Sequence, residues 1–110
     1  MNHLTVKEAL EKLKQAPDPF LSVFEHGSLD LEIYKPNKID LQSTHVRDEV
    51  YIISEGSGTF YHEGKRKEVA KGDFLFVPAG EEHRFENFTD DFSTWVIFYG
   101  PEGGEKTSKP

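Results

Sequence analysis

The chain has 110 residues, enough for one domain around one hydrophobic core. It contains no cysteine, so disulfide frameworks and thiolate chemistry are excluded and any metal must be held by nitrogen and oxygen. A formal net charge of −7 opposes non-specific binding to nucleic acid or to an anionic membrane.

The N-terminal run MNHLTVKEALEKLKQ predicts one helix from Thr5 to about Gln15. Thr5 and Glu8 have the spacing of a capping box, Val6, Leu10 and Leu13 form an apolar stripe, and Pro17 and Pro19 stop the helix. The run is too charged and too periodic for the apolar region of a signal peptide, and no apolar run approaches the ~20 residues of a membrane span. A cytoplasmic protein without membrane contact is the expectation. From Phe20 onward the texture changes to short alternating runs, which predict strands at Leu21–His26, Leu29–Lys35, Ile39–His45, Glu49–Ser54, Gly58–His62, Glu68–Ala70, Asp73–Val77, His83–Phe88 and Ser93–Tyr99. Turn residues separate most of them, including Gly27-Ser28, Gly56-Ser57-Gly58, Glu63-Gly64 and Pro78-Ala79-Gly80. Many short strands with a single helix argue for an all-β fold, an antiparallel sandwich or jelly-roll β-barrel. The division expected is a helix and linker over 1–19, a β-barrel over 20–100, and a tail over 101–110 too poor in apolar residues to order itself. The basic cluster Lys65, Arg66, Lys67 and Lys71 reads as the solvated face of a hairpin, not a phosphate site.

Two stretches carry the functional signal. In GDFLFVPAGEEHRFEN, Gly72 is followed by Pro78, Gly80, His83 and Asn87, which reads as a buried strand, a Pro-x-Gly corner and a second strand bearing an imidazole. Upstream, Ser43-Thr44-His45-Val46-Arg47-Asp48-Glu49 is followed by Gly56. The first stretch resembles the second sequence motif of the cupin superfamily at every fixed position. The upstream stretch resembles the first motif, His-x-His, three or four residues, Glu, six residues, Gly, except that Ser43 stands at the first histidine position. The resemblance spans roughly Ile39 to Tyr99 and implies the same β-barrel that the strand pattern suggests.

In cupins generally, the two histidines and the glutamate of motif one and the histidine of motif two bind a metal. Carried over, the resemblance implies His45, Glu49 and His83 as ligands of a divalent transition metal (Fe, Mn, Zn or Ni), with Ser43 offering at best a weakly ligating hydroxyl. Gln42 lies one residue out of phase and would need a strand bulge to reach the site. The turn Val46–Asp48 places His45 and Glu49 side by side on neighbouring strands, and two imidazoles with one carboxylate suit such an ion. Two consequences of Ser43 stay open: a three-ligand facial centre with open positions, which favours Fe(II) oxygenase chemistry, or a metal-free pocket. The competing structural reading is a hydrogen-bonded polar cluster, with Glu49 paired to protonated His83 or to Arg47.

Alternation assigns Tyr51, Ile53, Phe85, Trp95, Ile97 and Tyr99 to the inner wall, an aromatic lining suited to a small, partly apolar molecule or simply to a packed core. Arg47 is either a substrate-carboxylate contact at the mouth or a surface salt bridge. Asn87 is expected to serve a turn, and His62 to face solvent. The function expected is a metal-dependent reaction on a small organic molecule, with dioxygenase chemistry first and isomerase chemistry possible. The alternatives are a non-catalytic small-molecule or metal-binding module, and a metal-independent sugar epimerase with His83 as base and a tyrosine as acid. A homodimer, paired through edge strands, is the expected assembly.

Overall fold

The computed structural model describes residues 2–106. Its elements are α1 (Val6–Leu13), β1 (Phe20–His26), β2 (Leu29–Tyr34), β3 (Asp48–Glu55), β4 (Ser57–His62), β5 (Lys65–Ala70), β6 (Phe74–Val77), β7 (His83–Glu86) and β8 (Ser93–Tyr99). The Thr5 hydroxyl accepts the Glu8 N–H and the Glu8 carboxylate accepts the Thr5 N–H, so the capping box closes and fixes the start of α1. Ala9 and Leu13 then pack with Ile33, Leu21, Val23 and Trp95 on the outer face of β1, β2 and β8.

The strands form two antiparallel sheets, one ordered β1-β2-β8-β3-β6 and the other β5-β4-β7. They are separate hydrogen-bonded ladders. The closed barrel expected from strand spacing is therefore replaced by two sheets facing across a shared core, to which both contribute: Tyr34, Tyr51, Ile53, Val77 and Val96 from one, Phe60, Val69 and Phe85 from the other. Tyr51 meets Phe60 and Phe85 across the gap, with ring centroids 6.0 and 5.0 Å apart. Edge-to-face contacts of this kind favour a dry, rigid interior.

Three differences from the sequence expectation have physical causes. Ile39–His45 is not a strand: beyond a single bridge between Asn37 and Ile39 it runs as irregular chain. Its Asp40 side chain is turned inward, where one oxygen accepts the Gln42 N–H and the other the Phe85 N–H, so a carboxylate does what a ladder would have done. On β8, Thr94, Val96 and Phe98 face the core while Trp95 packs under α1. Trp95 and, by alternation, Ile97 and Tyr99 thus belong to the outer face and not to an inner wall. The segment after Tyr99 is hydrogen-bonded as far as it is described. Gly103 N–H donates to Val46 O at 2.6 Å and Glu105 N–H to the Asp48 carboxylate at 2.8 Å, while residues 107–110 lie outside the described residues.

Gly56 links β3 to β4 with φ +76°, and a Cβ there would sit 2.4 Å from Thr89 Oγ1 and 2.8 Å from Phe92 Cα. Only glycine satisfies both the left-handed backbone and the close approach. Gly80, φ +83°, turns the chain so that its N–H reaches His45 O at 2.7 Å, tying the Pro-x-Gly corner to the first histidine.

Candidate metal centre

Glu49 and Tyr51 project inward from β3, and His83 opens β7 on the opposite sheet. His45 arrives from the irregular segment, its backbone held by Gly80. One ligand atom from each of His45, Glu49 and His83 lies within 4.8 Å of the others. His83 Nε2 is 2.9 Å from Glu49 Oε1, and His45 Nε2 is 3.9 Å from the same oxygen. The convergence expected of these three residues is therefore present.

Charge and proton accounting at this point favour a cation. Glu49 is 1% exposed, and neither carboxylate oxygen has a hydrogen-bond partner. His83 Nε2 comes within 2.9 Å of Oε1, the distance of an ion pair if the ring is protonated, and also faces the Tyr51 hydroxyl at 3.0 Å. His83 Nδ1 lies 2.9 Å from Glu81 O, a contact that places a proton on Nδ1 and turns Nε2 inward. A nitrogen and a buried anionic oxygen at that separation need a proton or a metal ion between them. Burial pushes the His83 imidazole down, yet the adjacent Glu49 carboxylate and the Glu81 carbonyl outweigh it and the net shift is upward. His45 is pushed down, chiefly by burial and also by His83, against the pull of Glu49. Two imidazoles and an otherwise unpartnered carboxylate are a donor set suited to a divalent transition metal, so the residues present fit such an ion.

The centre meets an open cleft of about 850 Å³ through His45. Phe20, Leu41, Val96 and Phe98 give the cleft its apolar character, and Glu32, Gln42 and Ser43 are among its polar wall. Glu32 stands on the inner face of β2, opposite Val96, which in turn opposes Tyr51. Burial, followed by the charges of Asp30 and Glu49, pushes its carboxyl up to about 7.

Of the other pocket candidates, Ser43 lines the cleft but is exposed. Tyr51 and Phe85 are fully buried behind it, and burial together with Glu49 pushes the Tyr51 hydroxyl well above its ordinary value. Trp95 and Tyr99 are on the wrong face. Arg47 points away: its guanidinium donates to the carbonyls of Gly100 and Ser28, which makes it neither a mouth residue nor a salt bridge. His62 is paired with Glu81 at 2.6 Å. Asn87 adopts φ +48°, as a turn residue does. Arg66 in the basic cluster pairs with Glu86 and lies over the Tyr61 ring.

Sequence reasoning admitted Gln42 only through a strand bulge, whereas the irregular chain around Asp40 brings it to the site without one. Gln42 Oε1 is 2.9 Å from the Tyr51 hydroxyl and 3.2 Å from His45 Nε2. The signal available was Asp40-x-Gln42, the spacing at which an aspartate bonds the backbone N–H two residues on and breaks a strand.

Comparison with known proteins identifies the family and supports the fold. The cupin domain family model matches residues 30–99, and the chain belongs to the cupin family. An uncharacterized protein of Streptomyces coelicolor is 35% identical over 98 residues, covering 86% of this chain and 93% of that protein. An acireductone dioxygenase of a Hydrogenobaculum species is 32% identical over 111 residues, covering 88% of this chain; the chain spans 61% of that protein's length. A cupin-2 domain protein of Shewanella frigidimarina has the same fold, with a TM-score of 0.66 at 17% identity over 83% of this chain and 91% of that one. Among the described residues no helix is long and apolar enough to cross a membrane.

Proposed function

We propose that this cupin holds a divalent transition metal through His45, Glu49 and His83 and acts on a small, partly apolar organic molecule in the adjoining cleft, with oxygen-dependent cleavage as the reaction class. The observation that carries the reading is the Glu49 carboxylate, buried with both oxygens unpartnered and facing two imidazoles. A bound ion would supply Lewis acidity and a template for substrate and oxygen. The chain's own residues do the rest. Glu81 O orients the His83 ring, Gly80 N–H holds the His45 backbone, and Phe20, Val96 and Phe98 give one wall of the cleft its apolar surface. The oxygenase class is supported by the acireductone dioxygenase relative and by the coordination positions such a ligand set leaves open. The epimerase reading has less behind it, because the His83 ring is fully buried and does not line the cleft.

Metal analysis of protein purified without chelator, with and without reconstitution by Fe(II), Mn(II), Ni(II) and Zn(II), tests the centre. About one equivalent of one of these ions is expected in the wild type and none in His83→Ala. A wild type that holds no ion after reconstitution refutes the reading.

The assembly we read is a homodimer. It is supported by β6, an edge strand of the larger sheet, and by Ile52, Phe74 and Phe76, which lie on the outer face beyond the reach of α1 and are exposed.

A further inference from the structure

We propose that the side-chain carbonyl of Gln42 is a fourth protein ligand of this centre and takes the place of the imidazole that motif one lacks at Ser43. The inference rests on the metal-binding reading above and adds to it a residue that spacing alone passes over.

Four facts carry it. First, Gln42 Oε1 stands beside one candidate ligand atom, 3.2 Å from His45 Nε2, while His83 Nε2 stands 2.9 Å from Glu49 Oε1. Atoms bound side by side to one ion at ~2.1 Å are about 3 Å apart, so these are separations between neighbouring ligands. Second, the orientation of the amide is fixed. Its Nε2 donates to Asp40 Oδ2 at 2.8 Å, which leaves the oxygen facing the histidines. Third, Asp40 is itself held in place: it is buried, and it accepts from the Tyr34 hydroxyl at 2.5 Å and from the Gln42 and Phe85 backbone N–H groups at 3.0 and 2.8 Å. A ligand oriented by a buried, fully engaged carboxylate is what a built metal site requires of its outer layer. Fourth, the Tyr51 hydroxyl donates to Gln42 Oε1 at 2.9 Å, using one of the two lone pairs of that oxygen; the other faces His45 Nε2 at 3.2 Å and is open to an ion in the tautomer that carries the His45 proton on Nδ1.

Ser43 offers none of this. It is exposed at the cleft wall, whereas Gln42 is half-buried. The irregular path of the 39–45 segment makes the difference: a regular strand would have put positions 43 and 45 on one face and 42 on the other, whereas the turn at Asp40 brings position 42 inward.

The test is Co(II) titration of the metal-free protein, followed by visible absorption and by competition with a chelating dye, in wild type, Ser43→Ala, Gln42→Leu and His83→Ala. Ser43→Ala is expected to match the wild type in affinity and spectrum. Gln42→Leu is expected to bind at least tenfold more weakly, with altered Co(II) bands. His83→Ala is expected to lose binding. Wild-type affinity and spectrum in Gln42→Leu, with binding lost in His83→Ala, overturns the Gln42 assignment and leaves the three-residue centre standing. Failure of the wild type to bind overturns the centre itself. Because Gln42→Leu also removes the bond to Asp40, the question is put to the unmutated protein as well. Gln15 and Gln42 are the two glutamines of the chain, so one serves as reference for the other. On Zn(II) loading the side-chain carbonyl carbon of Gln42 moves downfield in the NMR spectrum while that of Gln15 stays; an unmoved Gln42 carbon overturns the proposal.

Discussion

Glu49 is a buried carboxylate with no hydrogen-bond partner on either oxygen, and its 2.9 Å approach to His83 offsets the burial only if that ring is protonated. A divalent ion would offset it too, and because binding occurs in the folded state it adds directly to stability. At a free ion concentration one hundred times the dissociation constant the gain is ~2.7 kcal/mol, which for a domain of this size raises the melting temperature by roughly 10–20 °C. Thermal unfolding with and without the ion should show that rise in the wild type and lose it in Glu49→Gln. Glu32 permits a second measurement. Its carboxyl is raised from 4.5 to about 7, so the folded state binds the proton more tightly than the unfolded chain does. The stability this contributes is fully present below pH 4.5 and is lost as pH rises through about 7. Glu32→Gln cannot titrate. The stability of wild type minus that of Glu32→Gln, measured by urea unfolding of the metal-free proteins, should therefore fall between pH 4.5 and 7 and level off above it. A difference that stays flat across that range removes Glu32 from the list of groups poised to exchange a proton with a cleft ligand.

Elements differ in how much of their placement a sequence discloses. β3 and β7 were legible with their ligands because Glu49 and His83 are polar residues at fixed spacings inside apolar runs, and a charge in such a run has only one face to which it can usefully turn. The phase of β8 was not. Thr94 to Tyr99 reads TWVIFY, apolar on both faces, because α1 covers one face and the core the other; alternation then has no polar residue to fix it. Phe74 and Phe76 misled in the opposite direction, since β6 looked buried but is an edge strand with those two rings turned to solvent. The 39–45 segment looked like a strand because its apolar residues alternate, and only the hydrogen-bonding of Asp40 shows why it is not. Two variants test the assignments at this scale. Leu13→Ala removes a side chain buried beneath α1, at a cost of about 2–5 kcal/mol, and should red-shift the fluorescence of Trp95, the single tryptophan, while leaving metal affinity unchanged. Gly56→Ala forces a Cβ onto Thr89 and Phe92 at a positive φ and should cost more than the ~1 kcal/mol of a compatible glycine replacement.

The whole molecule is asymmetric about its larger sheet. One half of the outer face is covered by α1, and the other, around Ile52, Phe74 and Phe76, carries exposed aromatic rings beside a free strand edge. If a second copy covers that half, Phe74→Glu combined with Phe76→Lys should convert a dimer to a monomer in sedimentation velocity without changing the metal content per chain. A wild type that sediments as a monomer across micromolar concentrations removes the dimer from consideration.

Asp48 stands directly before Glu49 of the candidate centre, and its carboxylate is gripped from two sides, by Ala79 N–H at 2.9 Å and by Glu105 N–H at 2.8 Å. The chain's last described residues thus act as a strap across the loop that carries both motif-one ligands. Such coupling runs in both directions: whatever steadies the loop must also steady the strap, by the same free energy. Loading the centre should therefore slow hydrogen–deuterium exchange at the Gly103 and Glu105 amides, far along the chain from any coordinating atom, and removing the strap should let the ion leave sooner.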